Sequence, residues 1–108
     1  MSIESITTDV LMELASAEAK FKPFNSSHEG YAVILEELDE LWDVVKLNPK
    51  KVFVPPEILM ELASRHDHER RIRDYQEAER KKMMRAEAIQ VAAMATRFIK
   101  CICDKDEE

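Results

Sequence analysis

The chain of 108 residues contains a single glycine and four prolines. Glycine supplies the backbone conformations that tight hairpin turns need, so its scarcity argues against a fold of many short strands. The only two cysteines, Cys101 and Cys103, are too few and too close together for a disulfide framework or a four-ligand zinc site. We therefore expect an all-α protein with reduced thiols, located in the cytoplasm.

The sequence also lacks a long apolar run and an excess of cations. No apolar run approaches the ~20 residues that span a bilayer, and the first residues lack the basic and apolar regions of a signal peptide. The formal net charge is -6, whereas binding to a phosphate backbone needs clustered cations. We expect neither a membrane nor a nucleic-acid polymer as a partner, and a transcription-type DNA binder is disfavoured.

The residues that are plentiful (Ala, Leu, Glu, Lys, Arg and Met) are good helix formers. Apolar periodicity and the positions of proline predict helices at residues 2–20, 26–47 and 56–64, and a charged helical segment at 65–82 that continues into a last helix at 83–103. Ser26 and Glu29 form a capping box, and Asp67 lies four residues before Arg71, a spacing that supports a solvated helix. Residues 104–108 are predicted to fray.

The length of the chain fits one helical domain covering residues 1–108. A domain of this size has little apolar material for both a core and a deep pocket. A site between subunits needs less of that material, so we expect a homo-oligomer.

The second helix carries apolar residues on two sides. Its main apolar arc, the predicted core face, consists of Tyr31, Ile34, Leu35, Leu38, Leu41, Trp42 and Val45. Val33 and Val44 fall elsewhere on the wheel, between Glu40 and Glu37, where a purely solvated acidic face would not need valine. We expect the side with Glu37 and Glu40 to be partly covered, and carboxylates at i and i+3 can reach one ion.

Glu87 falls at the centre of an apolar arc on the last helix. A buried glutamate costs several kcal/mol unless it is paired or coordinates a metal. One alternative is a structural ion pair with Arg85, Arg97 or another basic residue. The other is a divalent metal shared with Glu37 and Glu40. Oxygen ligands favour Mg²⁺ or Mn²⁺, and such an ion can also bind phosphate oxygens.

Two blocks around these carboxylates, residues 28–43 and 85–95, cover about a quarter of the chain. Together they resemble the MazG-like branch of the all-α nucleoside triphosphate pyrophosphohydrolases, which carry E-x-x-E on one helix and E-x-x-D on the next long helix. The resemblance implies an antiparallel helical bundle, assembled as a homodimer or homotetramer. It also implies Mg²⁺-dependent cleavage of a nucleoside triphosphate into a monophosphate and pyrophosphate.

The resemblance also implies roles for individual residues. Glu37 and Glu40 fill E-x-x-E, Glu87 takes the first position of E-x-x-D, and Glu36 would activate the attacking water. Gln90 stands where the family has Asp, and glutamine is a neutral and weaker ligand for Mg²⁺. The segment 50–82 is longer than the family's usual connector.

Residues that would touch the nucleotide are harder to select from the sequence. The candidate phosphate-binding cations are Lys46, Lys50, Arg85 and Arg97, and the aromatic residues that could stack on a base are Phe21, Phe24 and Trp42. Ordinary packing is the alternative for each aromatic residue. The alternative function is a catalytically weak or inactive nucleotide-binding or dimerisation module of the same fold, joined through Val33, Val44 and the last helix.

Overall fold

The computed structural model describes residues 2–105. Its elements are α1 (Ile3–Lys20), α2 (Ser27–Val45), a 3₁₀ turn (Pro49–Lys51), α3 (Pro56–Ala63), α4 (His68–Phe98) and a π-helical segment (Ile99–Cys103). Residues 2–105 contain no strand, which confirms the all-α prediction. Across the same range no helix combines the length and the apolar character needed to span a bilayer. Of the tail predicted to fray, residues 106–108 lie outside the described range.

The helices begin where the sequence provides caps. Ser2 accepts a hydrogen bond from the Ser5 N–H at 3.1 Å, and Ser26 accepts one from the Glu29 N–H at 3.1 Å. The Glu29 carboxylate reaches back, but it accepts hydrogen bonds from the Asn25 backbone (3.4 Å) and side chain (3.1 Å) instead of from Ser26. The predicted cap at Ser26 is therefore confirmed, and α2 ends at Val45, two residues before the predicted end.

The charged segment and the last helix form one continuous helix, as predicted. α4 spans 31 residues and begins at His68, three residues later than expected. A turn precedes it, in which Asp67 forms ion pairs at 2.8 Å with both Arg70 and Arg71. Farther along the helix, Glu77 pairs with Arg80 at 3.1 Å.

The C-terminal half of α4 is the central element of the bundle. α1 runs parallel to it, because Asp9 forms an ion pair with Arg85 at 2.7 Å and Glu18 forms one with Lys100 at 2.8 Å. α1 and α2 both pack on α4, and their backbones lie close to each other at few points, although side chains of both join one core. The result is a helical bundle that stays open between α1 and α2.

α2 runs antiparallel to α4. At one end the backbone of Gly30 lies against Phe98, where an added Cβ would come 2.6 Å from Cδ2 of that ring. At the other end Arg80 of α4 donates a hydrogen bond to the carbonyl oxygen of Val45 at 3.0 Å. Glycine at position 30 thus lets the Phe98 ring contact the helix backbone directly.

The buried core of the described residues is small. It consists of Leu14, Ala17, Phe24, Ala93 and Met94. The predicted core face of α2 is wrong for the single chain, because five of its seven residues are 42–63% exposed. The side that packs against α4 instead carries Gly30, Val33, Glu37 and Val44. α2 has two apolar surfaces, and α4 covers only the smaller one.

The N-terminal half of α4 extends beyond α1 and α2 and carries α3 and the 3₁₀ turn. Gln76, 8% exposed, donates hydrogen bonds to the carbonyl oxygens of Lys50 (3.1 Å) and Val52 (3.0 Å). These bonds fix the connector to the long helix. The arm gives the molecule an elongated shape of 63 × 26 × 21 Å.

Candidate functional site

Three carboxylates from two helices meet where α2 crosses α4. Glu37 and Glu40 lie one turn apart on α2, and Glu87 lies opposite them on α4. One oxygen from each carboxylate lies within 4.8 Å of the others. The structure therefore brings together the three glutamates that the sequence selected as metal ligands.

These carboxylates have no cationic partner among residues 2–105. Glu37 Oε2 and Glu87 Oε2 are both buried without a hydrogen-bond partner. The alternative of a salt bridge between Glu87 and a nearby arginine is wrong, because Arg85 pairs with Asp9 at 2.7 Å. Arg97 donates a hydrogen bond to the Lys22 carbonyl oxygen instead. A buried charged group without a partner is costly, so the cluster needs a proton or a cation to offset its negative charge.

The pKa values of two of these carboxyl groups are raised. Burial, the charge of Glu40, a hydrogen bond to Glu40 and the charges of Glu87 and Glu13 raise the pKa of Glu37 from 4.5 to about 7. Burial and the same two interactions with Glu40 also raise the pKa of Glu87. Near neutral pH the cluster therefore retains a proton unless another cation replaces it.

A cavity of about 450 Å³ adjoins the cluster. It occupies the gap between α1 and α2, and its floor is formed by α4 through Gln90, Met94 and Arg97. Glu36 and Glu37 of α2 form one wall, so Glu37 belongs to both the carboxylate cluster and the cavity. Residues 21–25, which connect α1 to α2, close one end.

The closed end of the cavity is cationic and aromatic. Arg97 is only 5% exposed, and its guanidinium lies 4.2 Å from the centre of the Phe24 ring. Lys20, Lys22 and Phe21 line the same end. Arg97 follows Glu87 by ten residues on α4, which places them about 15 Å apart along the helix axis. Glu29, which accepts hydrogen bonds from Asn25, lines this end as well, so the cations outnumber the carboxylates here, whereas Glu13, Glu36 and Glu37 line the other end.

The other candidates for contact with a nucleotide lie in different places. Lys46 pairs with Asp43 at 3.4 Å on the surface, and Trp42 is 58% exposed on the outer side of α2. Arg85 lines a neighbouring depression of about 420 Å³, which also includes Gln90. Lys50 lies at the arm. Of the cations selected from the sequence, Arg97 is the one that lines the main cavity.

Glu13 of α1 belongs to the site but was not selected from the sequence. It lines both the main cavity and the neighbouring depression, and its charge contributes to the raised pKa of Glu37. A signal was present, because Glu13 falls between Val10 and Ala17 at helical spacing on the apolar side of α1. An acidic residue on a core-facing stripe was the same pattern that identified Glu87.

Comparisons of the chain with protein-family models, with curated proteins and with solved structures each give no match. The MazG-like resemblance is therefore still a prediction based on the two sequence blocks. Further support for a function has to come from the site.

Proposed function

We propose that the protein is a Mg²⁺-dependent nucleoside triphosphate pyrophosphohydrolase that releases a monophosphate and pyrophosphate. The observation that carries this proposal is the cluster of Glu37, Glu40 and Glu87, which no basic side chain among residues 2–105 neutralises and which adjoins a cavity of about 450 Å³. We further propose that the bundle is of the MazG-like type and works in the cytoplasm as a homo-oligomer, a dimer or a tetramer. Its two unpaired cysteines are compatible with that compartment.

The donor set suits Mg²⁺, with Mn²⁺ as an alternative. The donor atoms are carboxylate oxygens, and the two buried oxygens of Glu37 and Glu87 that lack partners would gain one. Glu40 is more exposed than the other two, which leaves room for water and phosphate oxygens. Gln90, one turn after Glu87, offers a neutral oxygen beside them. A bound Mg²⁺ supplies the charge that orients phosphate oxygens and acidifies a water molecule.

In the proposed reaction the acidic residues around the cavity have different roles. Glu36 lines the cavity next to Glu37 and accepts the proton of the attacking water. The carboxylate cluster determines which end of the cavity receives the triphosphate. Since Glu13 faces the same space from α1, it repels any anion that enters without an accompanying cation.

The opposite end of the cavity suits the nucleoside. A volume of about 450 Å³ lies within the usual range of roughly 300–1,000 Å³ for small-molecule sites. Arg97 follows Glu87 by about 15 Å along the axis of α4 and lines the opposite end of the cavity from the cluster. Arg97 therefore donates to carbonyl oxygens of the base or to the sugar. Phe21, 63% exposed at the same end, offers a ring face for stacking.

The test is release of pyrophosphate from a panel of ribo- and deoxyribonucleoside triphosphates with Mg²⁺. We expect turnover by the wild type and a loss of at least a hundredfold in Glu87→Gln, which keeps the shape of the side chain. Asp39→Asn removes one exposed carboxylate from the same helix as Glu37 and should stay active. If the wild type hydrolyses none of the nucleotides, the enzymatic proposal fails; if Glu87→Gln matches the wild type, the site assignment fails.

A second candidate function is an inactive nucleotide-binding module. Gln90 favours it, because a neutral amide occupies the position beside Glu87 on the cavity floor. This candidate predicts that Mg²⁺ with a non-hydrolysable triphosphate raises the melting temperature while no pyrophosphate is released. Release of pyrophosphate by the wild type at a rate above that of Glu87→Gln excludes the inactive module.

A further inference from the structure

α2 has an apolar surface that nothing in the described chain covers. The outer stripe, as we name it, consists of Tyr31 (63% exposed), Leu35 (43%), Leu38 (44%), Trp42 (58%) and Val45 (42%). Successive members are four, three, four and three residues apart. This is the spacing of the seam of a coiled coil, in which two helices pack side by side. Single exposed hydrophobic residues are common, but five in a row on one helix face form a patch.

The whole molecule exposes more surface than a compact monomer of its mass. Its accessible surface is 7953 Å², whereas about 6,200 Å² is typical for 12.6 kDa. Its radius of gyration is 18.3 Å, whereas about 13 Å is typical for a compact domain of this length. The excess of roughly 1,700 Å² exceeds the ~800 Å² that each partner contributes to a standard interface. The extended arm contributes to this excess, and the outer stripe is the part of the exposed surface that is apolar along one helix face.

A second copy of the chain fits the outer stripe better than an unrelated partner. The stripe is symmetric in length about Leu38, which lies seven residues from both Tyr31 and Val45. Two antiparallel α2 helices related by a two-fold axis at Leu38 therefore place the stripe against itself along its full length. A partner with the same apolar seam is also present wherever the chain is made.

We propose that the outer stripe is the interface between two copies of this chain, with α2 antiparallel to its symmetry mate near Leu38. The interface that accompanied the alternative function, through Val33, Val44 and the last helix, is not used in this arrangement. Val33 packs against the core and Val44 is half-buried on the same side of α2. None of the five stripe residues lines the cavity, so the interface leaves the candidate active site open. The proposal does not depend on the proposed enzymatic function.

The first test measures molar mass by light scattering after gel filtration, at about 50 μM protein. We expect the wild type to elute with at least twice the mass of the chain and Leu38→Glu with half the wild-type mass or less. Met60→Glu places the same charge at a residue that is 75% exposed on α3, and it should keep the wild-type mass. A monomeric wild type, or a Leu38→Glu variant with unchanged mass and helical circular dichroism, overturns the proposal.

The second test uses a milder substitution and locates the axis. In a background with Cys101→Ser and Cys103→Ser, Leu38→Cys should form a disulfide with its own copy at least tenfold faster than Met60→Cys under mild oxidation. Equal rates for the two variants refute the register. Pyrophosphate release is measured in parallel, because an inactive dimer refutes only the proposed function and an active monomer refutes only the interface.

Discussion

Replacing Glu37 by glutamine isolates the electrostatic state of the carboxylate cluster. The substitution keeps the size of the side chain and removes the group whose pKa is raised to about 7 by burial and by Glu40, Glu87 and Glu13. In metal-free buffer at pH 8 the wild type must keep this carboxyl charged, whereas the variant carries no charge there. We therefore expect Glu37→Gln to be more stable than the wild type under these conditions.

The direction of the pH dependence follows from the raised pKa. A carboxyl with a raised pKa in the folded state contributes stability that is fully present below its unfolded pKa, near 4.5, and lost as the pH rises through about 7. At roughly 1.4 kcal/mol per pH unit the loss is at most about 3 kcal/mol. The carboxylate is only partly buried, so screening by water reduces the expected difference to roughly 1–2 kcal/mol.

The assay is thermal unfolding by circular dichroism at pH 5 and pH 8, at one protein concentration, with EDTA or with Mg²⁺. With EDTA we expect a small advantage for Glu37→Gln at pH 5, where the unfolded carboxyl has begun to ionise, and a clearly larger one at pH 8, by about 4–8 °C for each kcal/mol. With Mg²⁺ at pH 8 the wild type should recover this difference. Asp39→Asn is the matched control, because it removes an exposed carboxylate from the same helix.

The electrostatic reasoning is refuted if Glu37→Gln is no more stable than the wild type at pH 8 in EDTA. It is also refuted if the difference between the two proteins is the same at both pH values. If Mg²⁺ raises the melting temperatures of the wild type and Glu37→Gln equally, the ion binds elsewhere.

Three further substitutions test other contacts. Gly30→Ala places a Cβ 2.6 Å from the Phe98 ring, so we expect a net loss of roughly 1–2 kcal/mol in urea unfolding despite the higher helix propensity of alanine. Gln76→Ala removes the two hydrogen bonds that the side chain donates to backbone carbonyl oxygens. We expect about 1–3 kcal/mol less stability and faster hydrogen exchange at residues 50–54. Unchanged exchange there contradicts the role of Gln76 in fixing the connector. Gln90→Asp adds a charged oxygen near the cluster, so it should lower stability in EDTA and strengthen Mg²⁺ binding by roughly 1 kcal/mol, measured by titration calorimetry.

The positions of the helices could be predicted because their signals are local. Ser26 caps α2, Pro56 opens α3, and the acidic and basic residues around Asp67 pair at the start of α4. The side of α2 that faces the core could not be predicted. Two apolar surfaces compete on that helix, and the larger one is not covered by this chain. Periodicity shows which residues avoid water but not whether a second helix of the chain or another molecule covers them.

The carboxylate cluster was predictable for a similar reason. Glu87 interrupts an apolar stripe, and Glu37 lies among valines, so both require compensation wherever they pack. Side-chain positions that depend on the angle between two helices could not be predicted from the sequence. Examples are the placement of Glu13 beside Glu37 and of Arg97 at the far end of the cavity.

The gap between α1 and α2 has a consequence for selectivity. Both helices pack on α4 and on one small core, to which α1 contributes Leu14 and Ala17 and against which Val33 and Ile34 of α2 pack, so this core fixes both walls from one side. Away from the core the gap is open, and an open gap discriminates poorly between large and small ring systems. We therefore expect choice among nucleobases to depend on directional hydrogen bonds, from groups such as the Arg97 guanidinium, and not on the exclusion of bulky ligands.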